Sequence, residues 1–396
     1  AKQNQALVSV DDESWMQELW DWADNNQICD LKLNCVEHSP DDIFIGLPRC
    51  REKLLMLRSL DLSSNQLTDL PDSFGQLTNL SSLNLHWNPL RELPESFGKL
   101  TNLSSLDLSW NYNLCEQPEL FSKLTSLSLL DLNLCNNHLS ELPGSFGKLT
   151  NLTTLNLGDN QLTDLPDSFG QLTNLTTLKL GQNQLTDLPV LISKLTNLTT
   201  LDLGENQLTD LPDSFGQLTN LTTLKLGQNQ LTDLPVLISK LTNLTTLDLG
   251  ENQLTDLPVW FGQLTNLSSL NLNLNNMSEL PESVGKLTNL TTLNLGYIVC
   301  ELPESVGKLT NLTSLYLSGN RCGHLEHFGL LTNLTKLDLS DNSIQFLPDH
   351  IAELTNLTML DLRGNFLFSK DKLDRVKSLL PNCDILCEDN YPEGGP

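Results

Sequence analysis

Residues 198–220 read LTTLDLGENQLTDLPDSFGQLTN, and this stretch decides the fold. Leu201 and Leu203 alternate with Thr200 and Asp202, the pattern of a short strand with one face buried. Asn206 follows the strand, where a buried amide needs backbone partners. Pro212 fixes the backbone and donates no ladder hydrogen bond, so the chain leaves the sheet there. Phe215 and Leu218 are expected to turn inward, and Gly216 to let the chain turn back. So short a segment favours a 3₁₀ turn over a long helix. A strand of this length cannot stand alone and must pair with its copies.

Copies are present along the chain. The pattern L-x-x-L-x-L-x-x-N has fourteen starts between Leu57 and Leu357, most of them 23 residues apart, as from Leu152 to Leu175. The exceptions are 24 residues from Leu103 to Leu127, 25 from Leu127 to Leu152, and 22 from Leu290 to Leu312 and on to Leu334. Reading the fourth unit from Leu127 displaces its asparagine to Asn137, and Ile298 takes the asparagine register after Leu290, so local bulging is expected at both. Residues 175–212 recur identically at 221–258, a tandem duplication of two repeats. Units that cannot bury a face alone stack on their neighbours. The fold class expected is therefore α/β, one solenoid with a parallel inner sheet and short outer turns.

The register LPxxFGxLTNLxxLxLxxNxL resembles the 23-residue intracellular leucine-rich repeats of plant Ras-group proteins, bacterial repeat proteins and bacterial Roco proteins. The resemblance covers residues 57–367. It implies a right-handed horseshoe that grips partners on its concave sheet, in signalling or host interaction, and it favours the cytoplasm, with secretion as the alternative.

A solenoid must cover its ends. Trp15, Leu19 and Trp22 share a helix face behind Asp11-Asp12-Glu13, so residues 1–56 are expected to form a helical cap and a degenerate first repeat, with Ile28, Leu31 and Leu33 as its strand and residues 34–56 irregular. Residues 368–390 are expected to form a second cap, a helix over Lys370–Leu380 stopped by Pro381 and an edge strand at Cys383–Leu386, with a tail at 391–396.

Net charge −26 and pI near 4.4 repel phosphate backbones and anionic membranes and favour basic protein partners. A nucleic acid or a membrane is therefore not an expected partner, and a monomer is the expected state. The nine cysteines include no C-x-x-C pair, so zinc and redox motifs are unsupported; disulfides at the two ends remain an open alternative to free thiols. The Gly-Lys pairs such as Gly98-Lys99 lack the rest of a phosphate loop. His324 and His327 lack an evident third ligand. Asn-Leu-Thr/Ser triplets such as those at Asn102, Asn151 and Asn174 belong to the repeat and carry no weight as glycosylation sites. No catalytic residue, metal site or cofactor is expected.

Function should sit where exposed positions leave the consensus. Trp87 and Trp110 occupy one position in adjacent repeats, His86 precedes the first, and Leu134 is read at the same register one repeat on. Lys179, Asp202, Lys225 and Asp248 alternate along the inner strands, and Tyr297 and Tyr316 lie on or beside neighbouring strands. These ten residues are the candidate partner-binding set. Trp260 replaces a serine on the outer side and is read as filling a groove between repeats. The reading is a non-catalytic protein-binding module. The alternatives are the recognition segment of a larger enzyme, a GTPase or an effector ubiquitin ligase, and binding of carbohydrate or ice through the threonine rows.

Overall fold

The computed structural model describes residues 14–28, 44–116, 123–298, 302–320, 328–366 and 370–387. It comprises two compact units, residues 1–184 and 185–396.

The first unit opens with α1 (Ser14–Asn25), which buries Met16, Leu19, Trp22 and Ala23, while Trp15 is half-buried. Trp22 meets Phe74 edge-on, ring centroids 6.3 Å apart. A short helix α2 (Arg51–Leu55) stands where the sequence looked irregular. Its strands are β1 (Phe44–Ile45), β2 (Ser59–Asp61), β3 (Ser82–Asn84), β4 (Ser105–Asp107), β5 (Asp131–Asn133), β6 (Thr154–Asn156) and β7 (Thr177–Lys179). The strand before β2 is therefore Phe44–Ile45. Leu31 and Leu33, expected in that role, lie outside the described residues.

Each strand pairs in parallel with the next in chain order, leucine beside leucine: Leu60 with Leu83, Leu83 with Leu106, Leu106 with Leu132, Leu132 with Leu155 and Leu155 with Leu178. This register corrects the fourth unit. It begins at Leu129, 26 residues after Leu103 and 23 before Leu152, so Asn137 is in phase and the extra residues precede the strand. Leu127 and Leu129 are both buried, which is why two frames fit the leucines equally well. Only the asparagine distinguishes them.

The second unit repeats the plan through β8 (Thr200–Asp202), β9 (Thr223–Lys225), β10 (Thr246–Asp248), β11 (Ser269–Asn271), β12 (Thr292–Asn294), β13 (Ser314–Tyr316), β14 (Lys336–Asp338), β15 (Met359–Asp361) and β16 (Asp384–Leu386). These pairs are also parallel, from Leu224 beside Leu247 to Leu360 beside Ile385. The helix α3 (Lys370–Leu379) buries Leu373 and Val376 and precedes β16.

Between most strands the chain crosses back through 3₁₀ turns, five residues long except the three-residue Phe328–Leu330. Pro212, extended at φ −63° and ψ 144°, introduces Asp213–Gln217. Phe215 and Leu218 are fully buried, as their spacing demands. Gly216 is needed for a reason other than turning: a Cβ there would lie 2.5 Å from the carbonyl oxygen of Leu237 in the next repeat. Close stacking of turns, not a left-handed backbone, excludes a side chain. The duplicated block keeps one backbone in both copies, with φ 57° at Gln182 and 55° at Gln228.

The asparagines form the expected ladder. Asn229 Nδ2 donates to Leu203 O and Leu226 O, both at 3.0 Å, and its Oδ1 accepts from Leu208 N at 3.0 Å. One side chain thus satisfies backbone groups of two repeats that the strands leave open. At Ile298 the ladder is interrupted by a buried apolar side chain, while Ile298 N still donates to Asn320 Oδ1.

Candidate functional site

The eighth residue of every unit, from Ser64 to Gly364, has a left-handed backbone. It is 59° at Ser64 and at Trp110, 54° at Trp87 and Glu205, 52° at Leu274, 56° at Tyr297 and 67° at Gly319 and Gly364. The bend carries the chain off the strand and swings this side chain outward. For a non-glycine residue such a conformation costs roughly 1–2 kcal/mol. Small, polar or glycine residues occupy ten of the fourteen positions. Large apolar ones occur at Trp87, Trp110, Leu274 and Tyr297.

Trp87 is 60% exposed and Trp110 39%. Their backbone amides are already used, Trp87 N donating to Ser109 O and Trp110 N to Cys135 O. With Ser64, Gln66, Asn88, Pro89 and Tyr112 the two indoles line a groove of about 320 Å³. Trp110 stands edge-on to His86, centroids 6.5 Å apart, and to Tyr112 at 5.9 Å. Tyr112 in turn stacks on His138 at 4.7 Å. One flank of Trp110 therefore packs on the inserted segment, and Trp87 remains the more open ring.

Half-buried His86 ties the groove to the strand face. Its Nδ1 lies 2.8 Å from Ser109 Oγ, which donates to Asp107 Oδ1 at 2.6 Å. Asn133 Nδ2 donates to Asp107 Oδ2. On the next strand the Asp131 carboxyl is held above the usual carboxylate range by burial and then by the charge of Asp107, with Lys179 opposing. The Cys135 thiol is pushed up to about 12 by burial, by its hydrogen bond to Asp159 and by the charges of Asp159 and Asp107. That thiol stays protonated at neutral pH and is not a nucleophile. Cys50, Cys135, Cys383 and Cys387 are free. Cys29, Cys35, Cys300, Cys322, His324 and His327 lie outside the described residues, among which no cluster suited to a metal ion occurs.

The other candidates are dispersed. Leu134 is fully buried, because in the corrected frame it aligns with Leu108; Asn136, at φ 58°, holds the tryptophan position instead. Leu134 therefore offers no surface. Asp202 and Asp248 accept the backbone N–H two residues on, from Gly204 at 3.1 Å and Gly250 at 3.0 Å, capping the strand end. Asn84, Asp107 and Asn294 do the same for His86, Ser109 and Gly296. Lys179, Lys225 and Tyr316 break this row. Lys225 pairs with Asp202 at 3.2 Å, and Lys179 is exposed. Half-buried Tyr316 lies in β13. Tyr297, 45% exposed, donates its hydroxyl to Asp341 two repeats on, and its ring lies where a Cβ of Gly319 would be. Trp260 is half-buried and tilted against Phe261, centroids 6.0 Å apart.

Sequence reasoning offers the loop of Tyr112–Leu114 only as ground on which the tryptophans pack, which Trp110 does on Tyr112, and it misses Gln66 and Pro89 as lining. Tyr112 follows Trp110 by two residues at the start of the insertion, which was the available signal. It also missed exposed Val190, Val236 and Val259, which replace acids or glycine at the first position of their turns.

A leucine rich repeat model matches residues 128–185, 196–254, 242–297 and 310–367, a leucine-rich repeat region model residues 48–133, and a two-copy repeat model residues 173–216. No curated protein sequence matches the chain. Among solved structures, it is 34% identical to a repeat protein of Leptospira interrogans, covering 83% of this chain and 95% of that one, with a TM-score of 0.66. It is 30% identical to an internalin of Listeria monocytogenes, covering 73% and 82%, at 0.64. It is 31% identical to the ectodomain of the Arabidopsis thaliana receptor kinase GASSHO1/SCHENGEN3, solved with Casparian strip integrity factor 2, covering 84% of this chain and 42% of that one, at 0.65.

Proposed function

We propose, from the premise that the chain belongs to the leucine-rich-repeat family, that it is a protein-binding module whose contact surface centres on the Trp87–Trp110 groove. The observation that carries this reading is the cost of the tryptophans. Both stand exposed at a position where ten of the fourteen units carry a small, polar or glycine residue and where the left-handed backbone disfavours a large side chain. Exposed aromatic residues grouped around a groove are the usual anchors of an interface. Within the same unit the strand face from β3 to β7, where exposed Lys179 breaks the row of capping side chains, extends the surface. The Arabidopsis receptor ectodomain, crystallised in complex with Casparian strip integrity factor 2, supports a macromolecular partner over a reaction. The net charge of −26 weighs against a phosphate backbone as the partner.

The test compares the full chain with its Trp87→Asn, Trp110→Asn double variant as bait in extract of the source organism. Asparagine tolerates the left-handed backbone, as Asn136 shows. Proteins captured by the native chain and by a Val236→Thr control should disappear from the double variant. Equal capture by all three overturns the proposal.

A further inference from the structure

We infer that the Trp87–Trp110 groove takes a basic, extended peptide segment, seating a lysine or arginine side chain on the indole faces. This rests on the reading of that groove as a protein-binding site.

Three features select the occupant. First, the groove does not recruit a strand. The amides of Ser64, Trp87 and Trp110 are spent on His86, Ser109 and Cys135 carbonyls, so a partner is gripped by side chains and not by addition to the sheet. Second, the lining holds two indoles and a phenol ring and no charged residue, with Arg58 and Arg91 outside it. An indole face carries negative quadrupole density and attracts a cation, and the arginine plane stacks on it as well. Third, the adjoining strand face is acidic. Asp107, linked to the groove through Ser109 and His86, stands beside Asp131, whose ionisation is opposed by burial and then by the charge of Asp107. Asp159 adds a third acid in the following repeat, against one opposing cation at Lys179. A cationic side chain over the indoles would relieve that repulsion, whereas an acidic or phosphorylated segment would add to it.

A net charge of −26 attracts any polycation, so the experiment must separate site from field. The probe is a ten-residue Gly/Ser peptide carrying two arginines, titrated at about 150 mM salt to screen diffuse attraction. Tryptophan fluorescence and calorimetry follow the binding. Its citrulline analogue keeps the shape and loses the charge. The arginine peptide should bind the full chain roughly tenfold more tightly than the Trp87→Asn, Trp110→Asn variant. It should also bind several-fold more tightly than Asp131→Asn, and the citrulline peptide should lose most of the affinity. Equal binding of arginine and citrulline peptides, or equal binding of the arginine peptide by native and tryptophan-substituted chains, overturns the inference. So does the absence of binding up to millimolar peptide. If the tryptophan variant meanwhile still loses its captured proteins, the groove remains an interface and only the basic occupant is wrong.

Discussion

The repeats over residues 80–116 and those over 198–258 are alike inside and differ at the surface. Phe97 and Phe215 are both fully buried. Asn111 Nδ2 donates to Leu85 O and Leu108 O at 3.0 Å, and Asn229 makes the matching pair to Leu203 O and Leu226 O. At the left-handed position one region displays Trp87 and Trp110, the other Glu205, Gln228 and Glu251, with Gln228 donating to Glu251 at 3.0 Å. The lesson is that stacking and recognition are written at different positions of the same unit. Either can change without the other.

This separation can be broken by measurement. The largest effect is expected from emptying the interior. Phe97→Ala and Phe215→Ala should each destabilise the chain by about 3–5 kcal/mol in urea unfolding, and a disparity beyond about 1 kcal/mol would show that the two interiors are not equivalent. Next come Asn111→Ala and Asn229→Ala, each leaving a buried amide, Leu90 N or Leu208 N, without its acceptor and removing one of the two asparagine donors at each of two carbonyls, with an expected loss of about 1–3 kcal/mol. The smallest change should come from Trp87→Asn, which should leave stability unchanged or raise it by up to about 1 kcal/mol, since asparagine tolerates the left-handed backbone. A loss above about 2 kcal/mol there would make Trp87 part of the scaffold and remove the argument from its cost.

The fold was legible because burial repeats. The inward strand positions are leucine in all fourteen units, from Leu57, Leu60 and Leu62 to Leu357, Leu360 and Leu362, and Pro212 and its counterparts mark the way out of most of them. One frame was misread at Leu127, where two buried leucines two residues apart both satisfy the leucine pattern. The asparagine at Asn137 was the better guide, since a buried amide tolerates no shift. The surface was less legible. The conformation at Trp87 is imposed by the strand before it and the ladder after it, so residues as unlike as Trp110, Glu205 and Gly364 share it. Asp202 and Asp248 looked free because their capping role is a bond to backbone, which a side-chain pattern does not reveal. The engagement of Tyr297 with Asp341 spans two repeats and leaves no trace in local sequence.

The duplicated block of residues 175–212 and 221–258 has a consequence for how this molecule changes length. Removing residues 198–243 would join Asn197 to Leu244, and the resulting boundary is one the chain already contains between Asn243 and Leu244. Every surviving repeat would meet a flanking sequence it has met before. Recombination between the copies can therefore shorten or lengthen the protein in steps of two repeats with no new junction to be optimised, while the tryptophan-bearing repeats pass through unchanged.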